Sequence, residues 1–189
     1  MNQRTTSSRY AFAALWMLAL ALLALLHQAP CRAQSGPIEW QTFEPKEAHI
    51  RIQVPGTPKR TEQSDSHGRM IMWEAEKAPD IDAAIMWIRV AAHGRKSSAA
   101  ATKLLSTFMR KSMADDQYAL DSSSDVIYKG RKGRQMIYVS RASVNGQHAL
   151  LRMRMFQKGT TILVVFSSVV KSEAGSKLAS HFLNSLVFD

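Results

Sequence analysis

Two stretches of this chain are apolar at every consecutive position, Ala84-Ile85-Met86-Trp87-Ile88 and Ile162-Leu163-Val164-Val165-Phe166. A β-strand sends successive side chains to opposite faces, so a strand with no polar face has to be covered on both sides. Both runs therefore belong near the centre of a sheet, with a helical layer on each face. This requirement constrains the fold more than any other feature of the chain.

Two segments have the helical period needed for those layers. From Ser97 to Met113, Ala101, Leu104, Leu105, Phe108 and Met109 recur at three- and four-residue spacings and form one apolar face, with Ser97 or Ser98 available as N-cap. From Glu173 to Leu186, Leu178, Phe182 and Leu186 stack with Leu183 beside them, and Ser172 is the expected cap. The remaining periodicity is that of strands. Ile38 to Phe43 and His49 to Val54 come first, the second closed by Pro55-Gly56-Thr57-Pro58. Lys59 to Gly68 is polar and reads as an exposed connection. Arg69 to Lys77 and Ala83 to Ala92 follow as strands. After the first helix, Val126 to Lys129, Gln135 to Ser143, Gln147 to Gln157 and Thr161 to Val169 form a meander, with a hairpin expected at Asn145-Gly146. Strands, helix, strands, helix with short links predict an α+β domain, an αβα sandwich with a mainly antiparallel central β-sheet flanked by helices.

Before this domain lies an address. Arg4 and Arg9 precede an uncharged apolar run from Ala11 to Leu26, then Pro30 and the small-residue site at Ala33. That is the layout of a secretory signal peptide over residues 1–33, leaving 34–189 as a single exported domain, in a bacterium destined for the periplasm. The competing reading is an inner-membrane anchor through residues 11–26. Acylation at Cys31 fits less well, because Pro30 and Gln28 occupy the places where that signal favours a small and an aliphatic residue. Cleavage after Ala33 would remove the only cysteine, and with it any disulfide, thiolate nucleophile or cysteine metal site.

The chain of 189 residues carries a formal net charge of +10. Loss of Arg4, Arg9 and Arg32 leaves 22 basic against 15 acidic residues, a net +7. Export turns that charge away from nucleic acid and towards anionic head groups, acidic glycans or acidic protein faces. Its local focus is the glycine-punctuated turn Lys129-Gly130-Arg131-Lys132-Gly133-Arg134, where four cations and open backbone amides suit a phosphate or carboxylate. Lys129, Arg131, Lys132 and Arg134 are thus the candidate anion-binding residues. Arg152 and Arg154 share one sheet face and either extend the patch or lie over a half-covered sheet.

Catalytic signatures are missing. The chain has no nucleophile elbow, phosphate-binding glycine loop or zinc-helix motif. His49, His67, His93, His148 and His181 have no ligand spacing, and Ser64-Asp65-Ser66-His67-Gly68 reads as a polar turn. Asp80-x-Asp82 and Asp115-Asp116 lack the further oxygens that calcium needs and read as solvated turns. No catalytic residue, cofactor or metal is expected. Methionine is abundant, with Met70, Met72, Met86, Met109, Met113, Met136, Met153 and Met155, and suits core filling or an adaptable apolar pocket.

The proline-closed strand Ile50-Arg51-Ile52-Gln53-Val54-Pro55-Gly56-Thr57-Pro58-Lys59, the helix before Val126, the Gly133 to Phe166 meander and the ending Phe182-Leu183-Asn184-Ser185-Leu186-Val187-Phe188 come in a distinctive order. Together they resemble the PsbP-like superfamily, whose αβα sandwich is shared by photosystem II extrinsic subunits and Ran-binding import factors. The resemblance implies a non-catalytic accessory or assembly protein that docks on a larger complex, and it transfers no functional residue. A carrier of an apolar ligand and an enzyme of unrecognised type are the other classes the residues leave open.

Overall fold

The structure, a computed structural model, describes residues 38–66, 68–75, 80–91, 118–144 and 146–189. The expected signal segment, the expected helix from Ser97 to Met113, and His67, His93 and Asn145 lie outside them. The described elements are β1 (Trp40–Phe43), β2 (Ile50–Pro55), β3 (Pro58–Asp65), β4 (Gly68–Ala75), β5 (Ile81–Val90), β6 (Tyr118–Tyr128), β7 (Arg131–Val144), β8 (Gln147–Lys158), β9 (Thr161–Val170), the helix α1 (Glu173–Asn184) and β10 (Val187–Phe188).

Seven strands form one antiparallel sheet in the order β3-β4-β5-β9-β8-β7-β6. The two doubly apolar runs lie side by side within it as β5 and β9, with Ile85 opposite Val165. In β9, every residue from Ile162 to Phe166 is buried. The hairpin between β7 and β8 also forms, pairing Val144 with Gln147 around Gly146 at φ 75.

One face of this sheet carries α1 and a second, three-stranded sheet in the order β1-β2-β10. Ser172 caps the helix, its hydroxyl accepting a hydrogen bond from the Gly175 amide at 3.0 Å. Gly175 packs so tightly against the Val170 carbonyl that any Cβ would collide with it. Ala179, Phe182 and Leu183 are then buried with Ile50 and Ile52 of β2 and with Ile85 and Val165 of the large sheet. The helix ends at Asn184, before Leu186, because Ser185 closes it with its amide on the His181 and Phe182 carbonyls. Chain after that point returns as β10 to pair with β2.

The other face presents Met72, Ala84, Met86, Met136, Met153, Ile162 and Val164, all buried. Strand alternation and register place six methionines there: 70, 72, 86, 136, 153 and 155. Met72 lies opposite Met86, and Met136 opposite Met153. Among the described residues no helix or strand lies on this face.

Three expectations need correction. Lys59 to Asp65 is not a connection but the edge strand β3, paired along its length with β4. Its alternation is hidden because residues 59–62 are exposed, whichever face they belong to. The strand expected at Val126 to Lys129 begins eight residues earlier, at Tyr118. The six-residue turn from Lys129 to Arg134 contracts to two residues, Lys129 and Gly130, both at positive φ (46 and 78) as in a type I′ hairpin.

Candidate functional site

The short turn decides where the candidate cations go. Tyr128 pairs with Arg131, Ile127 with Lys132, Val126 with Gly133 and Asp125 with Arg134. Successive residues of β7 then alternate across the sheet, so Arg131 joins the face that carries α1. Lys132 and Arg134 join the methionine face. Lys129 stays at the tip, its ammonium 5.5 Å from the centre of the Tyr128 ring. Arg131 lies over the Phe188 ring at 4.3 Å and donates to the backbone oxygen of Asp189 at 3.2 Å. Arg134 Nε donates to Ser123 Oγ at 2.8 Å, and Lys132 is exposed. The four cations therefore surround one hairpin tip from both sides and do not converge on a single pocket.

Arg152 and Arg154 do not extend this patch. Arg154 donates to the Leu183 carbonyl at 2.8 Å, to Asn184 Oδ1 at 2.9 Å and to Gln135 Oε1 at 2.9 Å, beneath the Tyr128 ring at 4.6 Å. Tyr128 in turn donates its hydroxyl to the Asn184 carbonyl at 2.6 Å. Arg152 donates to Ser180 Oγ at 2.8 Å. Arg154 thus holds the last turn of α1, where carbonyls lack helical partners and positive charge is favourable, and Arg152 holds the helix side chain Ser180. Burial lowers the pKa of Arg154, opposed by Tyr128.

A different group stands out electrostatically. Asp82, expected in a solvated turn, is largely buried on the methionine face, opposite Ser168 of β9. Desolvation, with Glu74 nearby, pushes its carboxyl up to about 6. Tyr118 shares a hydrogen bond with Ser168, and burial raises its phenol. Asp80, by contrast, is exposed at φ 63. The signal missed in the sequence is Asp82's position one step into a strand, where alternation turns it inward.

Among the described histidines, His49 is in an exposed turn, His148 contacts the Ser140 carbonyl and His181 packs against Trp40 with the rings tilted by 57°. No group of histidine, cysteine or carboxylate side chains among the described residues has metal-ligating geometry. Asp65 receives the Gly68 amide at 3.1 Å, consistent with a polar turn at that end of β3. No helix among the described residues is long and apolar enough to cross a membrane.

An antiparallel sheet with a C-terminal helix and a small accessory sheet on one face defines the PsbP-like fold class. The chain is similar in structure to the cyanobacterial PsbP protein (CyanoP) of Synechocystis sp. PCC 6803, with a TM-score of 0.52 at 9% identity over 86% of this chain and 99% of that one. Weaker likenesses are the Saccharomyces cerevisiae Ran-binding protein Mog1p (TM-score 0.42, 10% identity, 80% of this chain and 96% of that one) and LpqN of Mycobacterium tuberculosis, described as involved in cell envelope biogenesis (0.42, 11%, 82% and 92%). No family model matches the sequence. No curated protein matches it either.

Proposed function

We propose that this chain is an exported, non-catalytic accessory protein that docks through the β6–β7 hairpin tip on an anionic surface of the envelope or of a larger assembly. One observation carries the reading. Arg152 and Arg154 are used internally, whereas Lys129, Lys132 and Arg134 are exposed at the free end of a hairpin with Arg131 beside them. The PsbP-like fold supports an accessory role by analogy only. In this reading residues 1–33 are the signal peptide and 34–189 the single working domain, so the exported protein should begin at Gln34. A full-length chain retained in membranes would instead indicate the anchor through residues 11–26.

The same proposal completes the sandwich. β5 and β6 run in the same direction with β9, β8 and β7 between them. α1 and the small sheet cover one face, and the αβα reading of the sequence proposes the helix expected from Ser97 to Met113 for the other.

Co-sedimentation with anionic liposomes or lipopolysaccharide tests docking. Each cation near an anionic membrane contributes about 1 kcal/mol, so replacing Lys129, Arg131, Lys132 and Arg134 by glutamine should lower affinity about a hundredfold or more. Wild-type binding should also weaken with salt. Equal binding by both proteins, or by neither, rejects the tip as a docking site.

A further inference from the structure

The two edges of the large sheet are built differently. β3 is guarded: it opens on Pro58 and carries Lys59, Arg60, Glu62 and Asp65, with Glu62 held between Arg60 and Arg69. Charge and proline are the usual means of preventing another strand from pairing with an edge. β6 is eleven residues long and contains no lysine, arginine or proline, its charged side chains being Asp121 and Asp125. Its bulge lies between Leu120 and Ser122, which leaves Ser122 to Tyr128 in regular register. Among the described residues, the large apolar side chains left exposed are Leu120 at 57% and Ile127 at 75%, both on this strand.

The hairpin geometry identifies the backbone groups of β6 that have no ladder partner among the described residues. A type I′ turn closes with a hydrogen bond from the Arg131 amide to the Tyr128 carbonyl, so Tyr128, Val126, Ser124 and Ser122 face β7. Ser123, Asp125 and Ile127 then direct their N–H and C=O groups away from the sheet. A strand laid along this edge would pass Ile127 and reach Lys129 and Lys132 at the turn.

We propose that the outer edge of β6 is a strand-addition site for an extended, acidic segment of another protein, with β-branched residues facing Ile127 and carboxylates at the turn. Main-chain hydrogen bonds supply affinity in this mode, and side chains supply selection. The inference deepens the docking reading, on which it rests for the sign of the partner's charge. A second copy of the chain is the poorer occupant, since the domain left after residues 1–33 brings the same net +7 to the basic end of this edge.

The test uses a labelled peptide of alternating threonine and valine with two glutamates at each end, titrated against the full chain in a non-ionic detergent. Binding should slow amide exchange in the β6 segment containing Ser123, Asp125 and Ile127. Ser123→Pro and Ile127→Pro remove outward amides without removing a backbone bond to β7, Ser123→Pro giving up in addition the exposed bond from Arg134, and should each cut affinity about tenfold or more while leaving the thermal midpoint nearly unchanged. Methylating alternate amides of the peptide should abolish binding with the protein unaltered. Lysines in place of the glutamates should do the same. No binding, or binding unaffected by peptide methylation, overturns strand addition, and loss of liposome binding in the four-glutamine variant would still uphold the basic tip. Self-association abolished by the proline variants would overturn the choice of partner.

Discussion

Burial of Asp82 makes stability depend on pH in the opposite sense to a salt-bridged carboxylate. Its carboxyl titrates at about 6 in the folded chain, against 3.8 in the open, so the folded state binds more protons between these values. Stability should therefore fall as pH rises from about 4 to 6 and level off above, by about 3 kcal/mol in all. Asp82→Asn should flatten that window and leave the protein more stable at pH 7, as urea unfolding across pH would read. Glu74→Gln should narrow the window from its upper end, because the smaller of the two causes of the raised value is removed. An unchanged pH profile in Asp82→Asn would assign the dependence to another group. Glu62 behaves in the ordinary way: hydrogen bonds from Arg69 and Arg60 hold its carboxyl down at about 2. Its stabilising contribution is complete above the usual carboxylate range and is lost only as pH falls through about 2.

At the scale of elements, the attachment of α1 depends on Arg154 more than on any cation at the hairpin tip. Arg154→Met leaves the Leu183 carbonyl and Asn184 without their guanidinium partner, at an expected cost of about 2–3 kcal/mol in urea unfolding. Arg154→Lys should not restore it, because an ammonium cannot reach three acceptors in the planar arrangement of the guanidinium. Arg131→Gln loses a ring contact and one exposed hydrogen bond to the Asp189 backbone, and should cost about 1 kcal/mol or less. Equal losses in the two variants would contradict the division between clamp and docking residues. That division is poorly legible in sequence, since Arg131 reads as a turn cation and Arg152 and Arg154 as possible extensions of the same patch. What separates them is the return of a helix onto one face. β5, β9 and α1 are legible for the opposite reason, because an unbroken apolar run or a capped four-residue stack has one physical solution. β3 and most of β6 escape notice because edge strands bury too little to impose alternation. The small sheet depends on β10, two residues long and paired across the whole sequence.

For the molecule as a whole, the methionine face sets the outstanding packing problem. Met72, Met86, Met136 and Met153 are 3–6% exposed, yet among the described residues the helix and the small sheet both lie on the other face. Unbranched thioethers adapt to an irregular partner, which suits a helix crossing several strands at an angle. If Leu104, Leu105 and Phe108 are the side chains that meet them, Phe108→Asp places an unpaired carboxylate in an apolar interface and deletes a large ring. The expected loss is about 3–5 kcal/mol. Lys103→Asp, outside the apolar face, should change stability by about 0.5 kcal/mol or less. Methionine oxidation supplies a readout independent of unfolding. Brief peroxide treatment followed by peptide mass analysis should leave Met72, Met86, Met136 and Met153 unmodified in the wild type and in Lys103→Asp, and convert them to sulfoxides in Phe108→Asp. Protected methionines and unchanged stability in Phe108→Asp would place something other than residues 97–113 over that face.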